Sequence, residues 1–158
     1  MWKYKSGDIE NISLHDNFIN KIQVDGDNIL LIFDDGFDVL KTHPLNDTGK
    51  SKRTTKSQIV LKKSEFREGR VYSWEQQDKH DKIDFERLLS PDCFFEVLDW
   101  ILKFSKEDGK VSIQGNICWE NFSNREYSIL EFSCEEILFC WNDYCDDAWF
   151  EEWPENTN

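Results

Sequence analysis

Apolar and polar positions alternate most cleanly late in the chain. Val111, Ile113, Gly115, Ile117 and Trp119 take one phase, and Ser112, Gln114, Asn116, Cys118 and Glu120 the other. A period of two over ten residues predicts a strand with one buried face. The pattern continues over residues 127–134 and 137–141, predicting two more antiparallel strands around Cys134-Glu135-Glu136, with turn residues 121–124 before them. Earlier, Phe18, Ile22 and Val24 alternate with polar neighbours as far as Asp25-Gly26-Asp27-Asn28, after which Ile29-Leu30-Leu31-Ile32-Phe33 is apolar on both faces. Alternation, an Asp-Gly turn and a β-rich run predict a hairpin whose second strand is the more buried. Asp34-Asp35-Gly36 predicts another turn and residues 37–40 a third strand, so that the three form a meander.

Residues 43–57 (HPLNDTGKSKRTTKS) lack periodicity and predict a polar loop, long enough for a mobile or functional segment. Strand character returns at residues 58–61 and, more weakly, at 71–74, before a polar loop over 75–82. A short helix is expected at 84–89 and a strand at 97–105, where Leu98, Trp100, Leu102 and Phe104 share a phase. Ser90-Pro91-Asp92 gives the competing expectation of a helix running to about Phe104. The fold class is therefore a β-rich α+β chain. Its antiparallel meander curls into a sandwich or partly open barrel, with one or two short helices. A single domain over 1–158 is expected, with an acidic aromatic tail from about residue 142 that is loosely ordered at 154–158.

Composition supports a packed core. Aromatics make up 15% of 158 residues, with seven Trp and twelve Phe, which is too much apolar mass for a disordered chain despite a net charge of −13. The charge is uneven. Residues 1–80 carry thirteen basic and thirteen acidic side chains, whereas residues 81–158 carry six basic against nineteen acidic. Such a field repels nucleic acid and speeds encounter with a basic protein. The mixed, polar N-terminus does not read as a signal peptide, and no apolar run is long enough for a membrane helix. Five cysteines, an odd number set mostly in apolar segments, fit reduced thiols, so a cytoplasmic location is expected.

Catalytic signals are weak. His15-Asp16 and His80-Asp81 repeat the pair used by HD-type metal phosphohydrolases, but that site is built on helices, and here one pair precedes a strand and the other sits in a polar loop. His15-Asp16 is read as the entry to the hairpin. Gly49-Lys50-Ser51 resembles the end of a phosphate loop, yet Pro44 stands where the first glycine belongs and no apolar helix follows. Cys140 and Cys145 lack the second Cys/His pair that structural zinc takes. Neither a cofactor nor a metal is expected. The most distinctive stretch is residues 140–153, where rings are interleaved with carboxylates. Aromatic anchors among acids suit a surface for a basic partner. Its expected members are Asp143, Asp146, Asp147, Glu151 and Glu152 for charge, and Tyr144, Trp149 and Trp153 as anchors.

Leu14-His15-Asp16, Asp35-Gly36-Phe37, the run from Asn46 to Lys50 with Arg53-Thr54, and Trp141-Asn142 together resemble a group of small, uncharacterised β-rich bacterial cytosolic proteins. Small acidic proteins of this kind are similar in style to immunity proteins of bacterial polymorphic toxin systems. That likeness implies a non-catalytic inhibitor that occludes a basic toxin. A curved sheet holding a small apolar ligand among inward rings such as Phe33, Trp100 and Trp119 is the alternative. A metal-dependent hydrolase is the third.

Overall fold

A computed structural model describes residues 1–72, 79–119 and 124–153, Asn124 by its backbone alone. The expected strand end at 73–74, the first half (75–78) of the loop expected over 75–82, most of the turn at 121–124 and the terminal segment 154–158 lie outside these residues.

The alternating segments become strands of three antiparallel sheets. In the first, the order is β1 (Tyr4–Ser6), β15 (Glu136–Trp141), β8 (Ser57–Lys62), β5 (Asn28–Phe33) and β4 (Lys21–Asp25). The second runs β10 (His80–Lys82), β9 (Glu65–Tyr72), β14 (Asn124–Ser133), β13 (Lys110–Trp119), β11 (Phe94–Val97) and β3 (Phe18–Ile19), with β12 (Lys103–Ser105) also on β13. The third runs β16 (Tyr144–Asp147), β7 (Lys52–Thr54), β6 (Asp38–Val39) and β2 (Ile12–Ser13). The helix expected at 84–89 is α1 (Phe85–Leu88). Three bends carry the chain between the first two sheets: Asn20 between β3 and β4, Lys63-Ser64 between β8 and β9, and Cys134-Glu135 between β14 and β15. Among the described residues no sheet closes into a barrel. The β-rich antiparallel class is as expected.

Register lines up the inward rows. Ile29, Leu61 and Ile137 are cross-strand partners, as are Leu31, Ile59 and Phe139 one pleat away. On the second sheet Ile113 pairs with Leu130, and Val111 with Phe132. All ten are buried and belong to one continuous core that also takes in Phe33, Phe37, Phe95 and Trp141. Such cross-strand rows of apolar side chains are the unit of sheet stability. Gly115 is required where β11 crosses β13, because a Cβ there would lie 2.1 Å from the Glu96 carbonyl oxygen and 2.6 Å from the Phe95 ring.

Several expectations are corrected. β4 and β5 form the predicted hairpin, but β5 next pairs with β8, and the third strand of the expected meander, β6, leaves for another sheet. The turn at Gly36 makes that switch. Its φ is +78°, and a Cβ would stand 2.1 Å from the Thr54 carbonyl oxygen. The strand expected at 97–105 is broken. β11 ends at Val97 and β12 begins at Lys103, because residues 98–102 are drawn aside by hydrogen bonds to the segment after β2. His80-Asp81 lies not in a loop but on edge strand β10. Phe33 and Trp119 belong to the buried core, whereas Trp100 is 47% exposed.

The polar stretch at 43–57 is also not a free loop. Residues 52–54 are β7, Ser57 opens β8, and the rest is organised by buried Asn46. Its amide nitrogen donates to the carbonyls of Val39, Leu40 and Lys50, while its oxygen accepts from the backbone and hydroxyl of Thr48. Buried His43 completes this unit. Leu45 N–H donates to Nδ1 at 3.0 Å, so Nδ1 is bare and Nε2–H faces the Ser6 hydroxyl at 3.0 Å. Burial pushes the His43 pKa below its usual 6.5, against a smaller opposing pull from Asp8. The unfolded chain therefore takes up a proton before the folded one does. Stability is complete above pH 6.5 and falls as pH drops through the folded value. Urea midpoints should decline between pH 7.5 and 5.5, and His43→Gln should flatten that decline. A ring titrating at or above 6.5 by NMR contradicts this assignment.

Candidate functional site

Residues 143–153 return across the third sheet. β16 pairs with β7, Tyr144 opposite Thr54 and Asp147 opposite Lys52, with a bulge at Cys145. Ala148 N–H then donates to the Ser51 carbonyl, and two tight bonds, Glu151 N–H to Ala148 O and Trp153 N–H to Phe150 O, wind the chain into a turn.

This geometry divides the expected contact residues. Asp147 meets Lys52 Nζ at 2.6 Å and Lys50 Nζ at 3.5 Å. The hydrogen bond holds the Asp147 carboxyl below its usual range and the Lys52 ammonium above its own. Glu151 turns inward, and its carboxylate accepts from Ser51 N–H at 2.8 Å. Tyr144 is half-buried, stacks on Tyr4 with ring centres 6.5 Å apart, and has its phenol pKa raised by burial. These three side chains hold the segment in place. Asp143, Asp146, Glu152 and Trp153 are exposed, and among the described residues none of these three acids forms an ion pair. Trp149 is half-buried, its indole set among other rings.

The rings of this turn meet residues far away in sequence. Trp149 lies 5.8 Å from His15, 5.7 Å from Trp100, 5.4 Å from Phe150 and 4.9 Å from Trp153, measured between ring centres. His15 stacks on Trp100 at 4.7 Å with only 7° between the planes. His15 Nδ1 lies 2.8 Å from the Leu98 carbonyl oxygen, so it carries the proton, and Nε2 faces the exposed Asp16 carboxylate at 3.5 Å. Trp100, Ile101 and Trp153 remain 47%, 44% and 62% exposed.

Sequence reading reached Trp149 and Trp153 but missed His15, Trp100, Ile101 and Phe150 as members of this cluster. Their available signal was the residue sequence Leu98-Asp99-Trp100-Ile101, where two large apolar side chains follow an acid inside a presumed strand. Asp99 in fact accepts from Gln114 N–H at 2.8 Å and ends the pairing there.

Beside the cluster is a cleft of about 590 Å³ between the turn at Asp34-Asp35 and β16, with Arg53, Lys56, Cys145 and Trp149 also in its walls. Cys145 is the exposed thiol of the five; the other four are buried, and burial pushes Cys93 up to about 12 and Cys134 up to about 11. His15-Asp16 and His80-Asp81 do not converge. His15-Asp16 precedes β3 and His80-Asp81 lies on β10, the strands at opposite ends of the order of the second sheet. Among the described residues no group of three or more His, Cys, Asp or Glu side chains is placed to hold a metal ion. No helix among them is long and apolar enough to cross a membrane. Comparison with protein-family models, curated proteins and solved structures found no match.

Proposed function

We propose that this protein is a non-catalytic acidic binding protein of the immunity type, which occludes a basic protein partner such as a toxin. The observation that supports this reading is the division of the C-terminal carboxylates. Asp147 and Glu151 are used within the fold, while Asp143, Asp146 and Glu152 face outward without a cation partner among the described residues. An exposed acidic face on a chain of net charge −13 attracts a basic surface from a distance, and steric cover then blocks it.

Charge reversal tests this without disturbing the two structural acids. Asp143→Lys, Asp146→Lys and Glu152→Lys combined should slow association with the basic partner roughly tenfold at low salt, with the difference shrinking as salt rises. The partner is obtained by retention on the immobilised protein and elution across a salt gradient. Retention of no basic protein, or association indifferent to the triple reversal, contradicts the reading.

A further inference from the structure

The ring cluster is a better candidate for the centre of contact than the acids are. We propose that Trp100 and Trp153, set on Trp149, Phe150 and His15 and with exposed Ile101 next to Trp100 in the chain, form the docking surface for a basic segment of the protein partner that carries an apolar anchor side chain. This rests on the binding-protein reading above and adds to it the place and chemistry of the contact.

Three observations support it. First, the exposed side chains are held on fixed backbone. Trp100 O accepts from Leu14 N–H, Val97 O from Asp16 N–H, and Gln114 O from Leu98 N–H, so the Trp100 segment is tied on both sides. The opposing turn is tied by Glu151 to Ser51 and by Trp153 N–H to Phe150 O. Rings already in their bound arrangement lose little entropy on contact, the condition under which a few aromatic residues dominate an interface.

Second, acids outnumber bases nearby: the cleft beside Trp149 holds Asp34, Asp35, Asp146 and Asp147 against Arg53 and Lys56, both of which pair with carboxylates. Asp16 stands against His15, Glu152 precedes Trp153, and Asp146 shares the cleft wall with Trp149. Lys50 and Lys52, on the segment alongside β16, are engaged by Asp147. Third, this charge selects among occupants. A second copy of the chain would bring acid against acid at a net −13 each, whereas a segment with Lys or Arg beside a leucine or aromatic matches both rim and rings.

The test uses three synthetic peptides of equal length, one rich in Leu and Arg, one in Ser and Arg, and one in Leu and Glu. Binding is read from tryptophan fluorescence and from the indole N–H signals of Trp100, Trp149 and Trp153. The Leu/Arg peptide should bind most tightly and move those three signals. The double variant Trp100→Ala, Trp153→Ala should bind it at least roughly tenfold more weakly while remaining folded, since both side chains are exposed. Undiminished binding by that variant overturns the docking surface. If the triple charge reversal still weakens binding in that case, the acidic-binder reading survives alone. Failure of every cationic peptide to bind overturns the docking surface too. Concentration-dependent dimerisation abolished by the double variant assigns the surface to a second copy and also overturns the proposal.

Discussion

Replacing Arg53 with alanine should lower the unfolding free energy by about 3–5 kcal/mol. Asp38 and Arg53 are cross-strand partners in the third sheet. Asp38 is fully buried, and Arg53 grips its carboxylate with two bonds, Nε to Oδ1 at 2.8 Å and Nη2 to Oδ2 at 3.2 Å. The other visible donor is Asn17, whose amide approaches Oδ2 at 3.4 Å while also serving the Ser13 carbonyl. Without the guanidinium, a buried carboxylate has one weak donor. It must then remain charged in an apolar setting or take a proton, and either outcome destabilises the fold. Arg53→Lys should fall between wild type and alanine, since an ammonium does not present the two-pronged fork. Arg53→Met combined with Asp38→Asn should cost less than Arg53→Ala alone, because the unpaired charge is gone. Denaturant unfolding measures all three, and a loss below about 1 kcal/mol for Arg53→Ala, the range of an exposed pair, contradicts the account.

Trp141→Ala should cost a similar amount, about 3–5 kcal/mol, for a different reason. Trp141 ends β15, is fully buried, and stacks on Tyr4 at 5.4 Å. Its ring also meets Phe37 and His43 edge-on, at 6.1 Å and 5.4 Å. It therefore joins the first sheet, the segment entering β6 and the turn ordered by Asn46. Truncation leaves a cavity that none of these can fill without breaking strand register. The same variant should let the His43 pKa climb back towards 6.5, because the ring that keeps water from the imidazole is missing. Unfolding curves and the His43 titration read the two effects independently. A loss under about 1 kcal/mol with an unmoved His43 would show that the indole is not part of that packing.

Strict alternation made β13, β14 and β15 legible, because a period of two needs several repeats to stand out, and an apolar run behind an Asp-Gly turn did the same for β5. In the third sheet only β6 was legible, as the strand expected at 37–40; its sheet was not. Its strands β2, β6 and β7 have two or three residues each, and inward positions include Ser13, Asp38 and Thr54, so no apolar rhythm exists. Trp100 was misplaced because it shares a phase with Leu98 and Leu102. What interrupts that phase is capture by residues 14–17, more than eighty positions away. Asp16 does mark a turn, with φ of 61°, but the strand it opens is β3, which pairs with β11 in the second sheet and not with the hairpin of β4 and β5. That its neighbour His15 also supports Trp100 depended on a meeting across three parts of the chain. The carboxylates of Asp147 and Glu151 looked identical in sequence to those of Asp146 and Glu152; the register of β16 against β7 and the turn after Ala148 separate structural acids from exposed ones.

The pairing of β1 with β15, Tyr4 opposite Trp141, has a consequence for biosynthesis. Strand β1 has no sheet partner until β15 has been made, and the Lys3 backbone likewise awaits the Asn142 side chain. Completion of the first sheet therefore waits on the synthesis of β15. A message truncated before β15 yields a chain whose amino-terminal strand has nothing to pair with, and whose growing apolar rows stay exposed to chaperones and proteases throughout elongation.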